Sequence, residues 1–517
     1  MRFSFKSAKR YNYLTLLDTN MLYMLASCRG SSNFLSRITP KYYNNIEVGN
    51  RQMKKRLEQD LLGTMELPSD VYYGIQTQRA VENFPITGYK PGKGLIEALA
   101  IVKKAAALAN MKVRQLDEEK AKAIVQAADE ILEGKFLDQF VVDVIQGGAG
   151  TSLNMNANEV IANRAIEILG GEKGDYSVVS PNTHVNMSQS TNDVIPTAVR
   201  ITVLKMLKEL LAELELLREA LLKKSEEFDD VIKMGRTHLQ DAVPIRLGQE
   251  FAAYAATITR DIKRITAASE ALYEVNMGAT AVGTCVNAKV EYIESVTEYL
   301  KEFSYLPLRS AENMVDATQN ADVLAAFSST LKILALNFSK IANDLRLMAS
   351  GPRAGLKEIN LPSVQPGSSI MPGKVNPVMA EVVNQVAFQV AGNDHTIALA
   401  AEAGQFELNV MEPVLVYNLI QSVQILTNVA KVFRERCIVG ITANAERCQE
   451  MVDNSVGIIT PLVPHVGYEV ASQLAKEVMS SNKTVRQLLS EKGLFSEEEL
   501  DKILSPRAMT QPSSNGN

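Results

Sequence analysis

The sequence predicts an all-α protein of three helical domains, the central one a long five-helix bundle. Three observations predict it. Five long stretches carry apolar residues three and four apart, strand-like alternation is scarce throughout, and polar breaks rich in glycine or proline separate the stretches. At 517 residues the chain exceeds one ordinary domain. Its 46% hydrophobic against 22% charged residues is a globular balance, not the charge-rich composition of disorder.

Residues 1–52 form a leader of different character. Arg2, Lys6, Lys9, Arg10, Arg29, Arg37, Lys41 and Arg51 face only Asp18 and Glu47, so this piece carries +6 and the remainder −11. A basic, acid-poor leader fits an organelle transit peptide, a disordered tail, or an early start codon with Met53 opening the protein proper. The first reading implies a mitochondrial location and the others a cytoplasmic one. The stretch near Leu14–Leu25 is broken by Asp18 and Asn20, so no membrane span is predicted.

Residues 53–190 read as a first, smaller helical domain. The bundle, 191–446, begins with a stripe of Ile201, Leu204, Leu207, Leu211, Leu214 and Leu217 inside about 198–224. Phe251, Tyr254, Ile258, Ile262 and Ile265 mark a second helix, and 322–350, 379–403 and 414–436 mark three more. Such stripes are buried against one another. The breaks at 235–248, 278–284, 351–377 and 403–413 are the candidate functional loops, because a rigid scaffold leaves chemistry to its connections. Residues 447–517 form a small C-terminal helical domain, and the run from Pro506 to Asn517 lacks apolar periodicity and is expected to fray.

The net charge of −5 argues against nucleic acid as the main partner. Cys28, Cys285, Cys437 and Cys448 form no C-x-x-C pair, and His184, His238, His395 and His465 are dispersed, so neither a metal site nor a disulfide framework is predicted.

Four polar segments carry chemistry. Gln146-Gly-Gly-Ala-Gly-Thr-Ser152 is either a glycine turn with a Ser/Thr cap or a cradle where amides and a helix N-terminus meet a carboxylate. Ser190, Thr191 and Asn192 offer uncharged donors just before the first bundle helix, and they also suit an N-cap. Thr237 and His238 lie in a polar break between two bundle helices, where a lone histidine is structural or catalytic. Most informative is Pro366-Gly-Ser-Ser-Ile-Met-Pro-Gly-Lys-Val-Asn-Pro377, a hinged loop with stiff corners that presents Ser368, Ser369, Lys374 and Asn376.

Gly-Ser-Ser-Ile-Met-Pro-Gly-Lys-Val-Asn-Pro resembles the signature loop of the fumarase/aspartase superfamily, and the resemblance runs from about Leu57 into the 490s. Gln189-Ser-Thr-Asn-Asp193, Thr237-His-Leu-Gln240 and Asn409-Val-Met-Glu-Pro413 resemble the aspartase versions of their segments, with Thr191 and Leu239 standing where fumarases usually have serine and threonine. The resemblance implies an aspartate ammonia-lyase reaction, L-aspartate to fumarate and ammonia, without a cofactor. The alternatives are fumarate hydration and, more remotely, an inactive structural member.

Carried over residue by residue, it implies Ser368 as the general base. Thr151, Ser190, Thr191 and Ser369 would surround the β-carboxylate, and Thr237, Lys374 and Asn376 the α-carboxylate. Asn192 and His238 would lie near the amino group, with Glu381 as the acidic partner of the histidine. It also implies a homotetramer with a twenty-helix core whose active sites each draw on three subunits. One departure stands out: Cys285 replaces the glycine usual in Gly-Thr-Gly-Leu-Asn, and a positive φ there would strain it.

Overall fold

The computed structural model describes residues 54–481 and 483–512. The basic leader therefore lies outside the described residues.

The chain opens with an antiparallel hairpin, β1 (Lys55–Asp60) and β2 (Gly63–Pro68), followed by α1 (Ile75–Asn83). Gly74 caps α1 without a side chain, and buried Glu159 takes its place, accepting from the amides of Gly74, Gln76 and Thr77 at 2.9, 2.9 and 3.0 Å. Next come α2 (Lys93–Lys112), α3 (Glu118–Leu132) and α4 (Thr151–Ile168). α3 starts where Asp117 accepts from the amides of Glu119 and Lys120. The alanine-rich α2 packs closely on both α3 and the first bundle helix.

The bundle consists of α5 (Thr191–Glu227), α6 (Leu247–Ser269), and, after the shorter α7 (Val290–Ser304) and α8 (Met314–Gln319), α9 (Asp322–Met348), α10 (Val378–Glu402) and α11 (Glu412–Arg436). α5 packs on α6 and α11, α9 on α6 and α10, and α10 on α11. Their stripes are buried as the periodicity requires: Leu204, Leu207, Leu214 and Leu217 on α5, Phe251, Ile258 and Ile265 on α6. Pro196 lies inside α5 and brings no amide to the Asn192 carbonyl; Asn276 Nδ2 donates to that carbonyl instead, at 3.0 Å.

Two regions differ from the sequence reading. The break at 235–248 is not a plain loop, because β3 (Ile232–Thr237) and β4 (Gln240–Arg246) form an antiparallel hairpin with an irregular register between Met234 and Arg236. Its strands are too short for an alternating pattern to register above the helical background. Short pairings also join Glu274–Val275 to Arg309–Ser310, and Ile359–Asn360 to Thr442–Ala443.

The C-terminal helices are α12 (Ala445–Asp453), α13 (Val463–Val466), α14 (Tyr468–Ser480), α15 (Val485–Glu491), α16 (Glu497–Ile503) and α17 (Pro506–Thr510). They bury their own apolar cluster, including Val452, Leu462, Leu474 and Leu489, against Ile232 and Met234 of the hairpin. The expected fraying from Pro506 is corrected over its first turn: Pro506–Thr510 is helical, capped by Ser505, and Arg246 Nε donates to Thr510 Oγ1 at 3.0 Å. Tertiary hydrogen bonds supply what apolar periodicity does not.

Candidate active site

The predicted site residues fall into three groups. The first lies where α4 and α5 begin. Gly148, Ala149 and Gly150 all have positive φ (66°, 53° and 90°), a tight turn that sets exposed Thr151 at the first position of α4, with its Oγ1 donating to the Gly148 carbonyl at 2.6 Å. Ser190 is the N-cap of α5: its Oγ accepts from Asn192 N, and its own amide donates to Asp193 Oδ1 at 2.9 Å, a capping box. Thr191 is buried, and its Oγ1 accepts from Asn154 Nδ2 at 3.2 Å, which joins the two helix starts. Asn192 donates from Nδ2 to the Ala281 carbonyl at 2.6 Å. Two helix N-termini side by side favour an anion.

Beneath this group lies a polar layer that the sequence reading missed. Buried Lys103 of α2 donates to Asn186 Oδ1 at 3.0 Å and Gln189 Oε1 at 2.9 Å, and Asn186 Oδ1 also accepts from Asn154 and Asn158. Buried Asp193 accepts from the amides of Gly278 and Thr280 as well as Ser190. Burial pushes the Lys103 ammonium down to about 7 and the Asp193 carboxyl up to about 7, while their mutual attraction opposes both shifts. Two signals were legible: a lysine beside the apolar runs Ala98–Val102 and Ala105–Ala109, and Asn154, Asn156 and Asn158 on one helix, where asparagine is a weak former.

The second group is the tip of the β3–β4 hairpin. Thr237 and His238 are both exposed, and His238 and Leu239 take φ of 56° and 60°, the left-handed pair of a two-residue hairpin turn. The third is the loop between α9 and α10, which closes on itself. Gly367 N donates to the Lys374 carbonyl at 2.8 Å, and Asn376 Nδ2 donates to the Gly367 carbonyl at 2.8 Å. A Cβ at Gly367 would come within 2.8 Å of both Asn376 N and Lys374 O, so this closure requires glycine. Ser368 Oγ accepts from the amides of Ile370 and Met371 at 3.2 and 3.0 Å. Ser369 and Lys374 are exposed, and Glu381 lies half-buried in the first turn of α10.

Thus Thr151, Ser190, Thr191 and Asn192 are brought together, as are Thr237 with His238, and Ser368, Ser369, Lys374 and Asn376 with one another. Among the described residues no side-chain hydrogen bond or ion pair joins one group to another, and none links Glu381 to His238. No cluster of potential metal ligands occurs among the described residues, and no helix there is long and apolar enough to cross a membrane. Cys285 has a φ of 58°, the strained conformation anticipated for it.

Residues 63–392 match the family model described as Lyase, and residues 458–511 that described as Fumarase C C-terminus. The chain is 63% identical to an aspartate ammonia-lyase of Bacillus sp over 88% of its own length and 98% of that protein's, and 62% identical to that of Bacillus subtilis over 90% and 98%. Among solved structures, a fumarate lyase:delta crystallin from Brucella melitensis superimposes with a TM-score of 0.87 at 51% identity, covering 89% of this chain and all of that one. A class II fumarase from Schistosoma mansoni does so at 0.84 and 34%, covering 88% and 98%. With its helical bundle, its signature loop and relatives at this identity over nearly their full length, the chain belongs to the fumarase/aspartase superfamily of lyases.

Proposed function

We propose that the protein is an aspartate ammonia-lyase, which converts L-aspartate reversibly to fumarate and ammonia. The observation that carries the elimination chemistry is the environment of Ser368. Two amides donate to its Oγ, an arrangement that favours the oxyanion over the neutral hydroxyl, and Lys374 on the same loop adds positive potential. As an alkoxide, Ser368 takes the proton from the β-carbon. The electron pair moves into the adjacent carboxylate as an aci-carboxylate dianion, then returns to form the double bond as ammonia leaves.

Thr151, Ser190, Thr191 and Ser369 are the donors for that dianion, Thr151 by turning its hydroxyl away from the Gly148 carbonyl, and each such donor is worth about 3 to 4 kcal/mol of transition-state stabilisation. Thr237, Lys374 and Asn376 hold the α-carboxylate; Asn192 and His238 orient the amino group, with Glu381 behind the histidine. Substrate choice follows the Bacillus relatives and rests on Thr191, Leu239 and Glu412.

The three groups are completed by assembly. A homotetramer in which each site takes one group from each of three subunits accounts for the lack of side-chain hydrogen bonds between the groups within one chain, among the described residues. It also accounts for large apolar side chains left exposed on bundle helices, Leu216, Leu336, Phe388 and Leu399 among them. The division into 53–190, 191–446 and 447–517 and a cytoplasmic location belong to the same reading.

Absorbance of the fumarate formed from aspartate and, separately, from malate tests this on protein starting at Met53. Turnover of aspartate alone is the expected result. Turnover of malate alone would make the protein a fumarate hydratase, the reading that its likeness to the Schistosoma fumarase favours, and a flat trace with both would leave a structural protein. An active monomer in sedimentation would overturn the composite site.

A further inference from the structure

The hairpin bearing Thr237 and His238 and the segment leading into the signature loop meet at one buried carboxylate. Glu358 is fully buried and precedes Ser368 by ten residues. Its Oε1 accepts from Arg236 Nη1 at 2.8 Å, and Lys233 Nζ lies 3.4 Å from Oε2. Lys233 in turn donates to Glu250 Oε1 at 2.8 Å, so two carboxylates and two cations balance. The Glu358 backbone is equally fixed, its amide donating to the Met348 carbonyl at 2.9 Å and its carbonyl accepting from Asn444 N at 2.8 Å.

Arg236 is the residue before Thr237. The irregularity between Met234 and Arg236 is a device that re-aims a side chain, here toward Glu358. Beyond it the tip is strained: His238 and Leu239 hold left-handed conformations without a glycine, and neither His238 nor Thr237 makes a side-chain hydrogen bond among the described residues. Strain of this kind persists only where the surroundings over-determine it. A buried charge pair is weak evidence for stability, since apolar packing does as well. Its place at the root of both site-bearing segments, outside the bundle, is what needs a reason.

We propose that Glu358 is a positioning residue that, through Arg236, holds Thr237 and His238 in the conformation that receives the substrate. This rests on the elimination reading above, in which the hairpin tip binds the α-carboxylate and the amino group. The pair acts on binding rather than on proton abstraction, because the tip's contacts are made in the bound ground state as well as in the transition state.

The test is Glu358→Gln, which keeps an acceptor for Arg236 and removes the charge. KM for aspartate is expected to rise about tenfold while kcat stays within about threefold. Arg236→Gln gives the same split, and the double variant costs no more than the larger single change, because both act on the same ion pair. An unchanged KM, a fall in kcat alone, or additive costs in the double variant would each overturn the proposal. Should Glu358→Gln fail to fold, Arg236→Gln carries the test, as its side chain reaches solvent at one edge. If the unmodified protein turned over neither substrate, the functional reading would fall and hydrogen exchange would still decide this one. The amides of Thr237–Gln240 are expected to exchange about tenfold faster in Glu358→Gln, and unchanged protection would overturn the proposal.

Discussion

Asn154 donates from Nδ2 to the Oγ1 of Thr191 at 3.2 Å. The amide thereby occupies the acceptor side of the hydroxyl and leaves the threonine's own proton free to be donated elsewhere. A buried threonine becomes a directed donor because a neighbouring helix supplies its partner.

Thr191→Val keeps the shape and deletes that donor. If Thr191 stabilises the dianion, kcat for aspartate falls by about a hundredfold or more, with about 1 kcal/mol lost in stability from the unpaired Asn154 donor. Steady-state kinetics and urea denaturation measure the two effects separately. A kcat within about threefold of the parent would remove Thr191 from the oxyanion set.

Ser368→Ala is expected to abolish turnover and leave the fold intact. The serine caps only a turn of its own loop through the amides of Ile370 and Met371, so the helices on either side do not depend on it. Near-normal turnover with an unchanged circular dichroism spectrum would take serine out of the mechanism.

Cys285→Gly should stabilise the protein by about 1 kcal/mol, because a left-handed residue with a Cβ becomes glycine. The greater freedom of glycine in the unfolded chain offsets part of the gain. A denaturation midpoint equal to or below that of the parent would show that the loop carries no strain at this position.

Glu412 and Arg200 give a pH dependence. Both are buried, Glu412 Oε2 and Arg200 Nε have no partners among the described residues, and burial pushes the Glu412 carboxyl from 4.5 up to about 8 against the attraction of Arg200. The folded chain therefore holds this proton more tightly than the unfolded one. The stability that the protonated group contributes is complete below about pH 4.5 and is lost as pH rises through about 8. Glu412→Gln cannot lose a proton, so its stability relative to the parent should increase between about pH 5 and pH 8 and level off above that. Thermal midpoints at several pH values decide it, and a constant offset across the range would contradict the assignment.

Much of the fold could be read directly. The five bundle helices begin and end within a few residues of their stripes except α5, which starts at Thr191 because Ser190 and Asp193 cap it there, ahead of the first leucines. The signature loop was legible because glycines and prolines at fixed spacing are a local matter. The β3–β4 hairpin was not, since its short strands pair through backbone groups that carry no residue signature, and its turn uses His238 and Leu239 where Asn-Gly would have announced it. The Lys103–Asn186 layer was hidden for a different reason: its members are far apart in sequence, and only helix packing makes them neighbours.

The sequence by itself determined the helical class, the bundle stripes, the glycine turn that opens α4, the capped start of α5 and the chemistry present at each loop, because periodicity, caps and turn residues act over a few residues. Only the tertiary structure decided which of those loops meet. Burial made Lys103, Asp193 and Glu358 depend on distant groups, since an ionisable group far from water must find partners across the fold, and those partners are fixed by packing and not by neighbours in the chain.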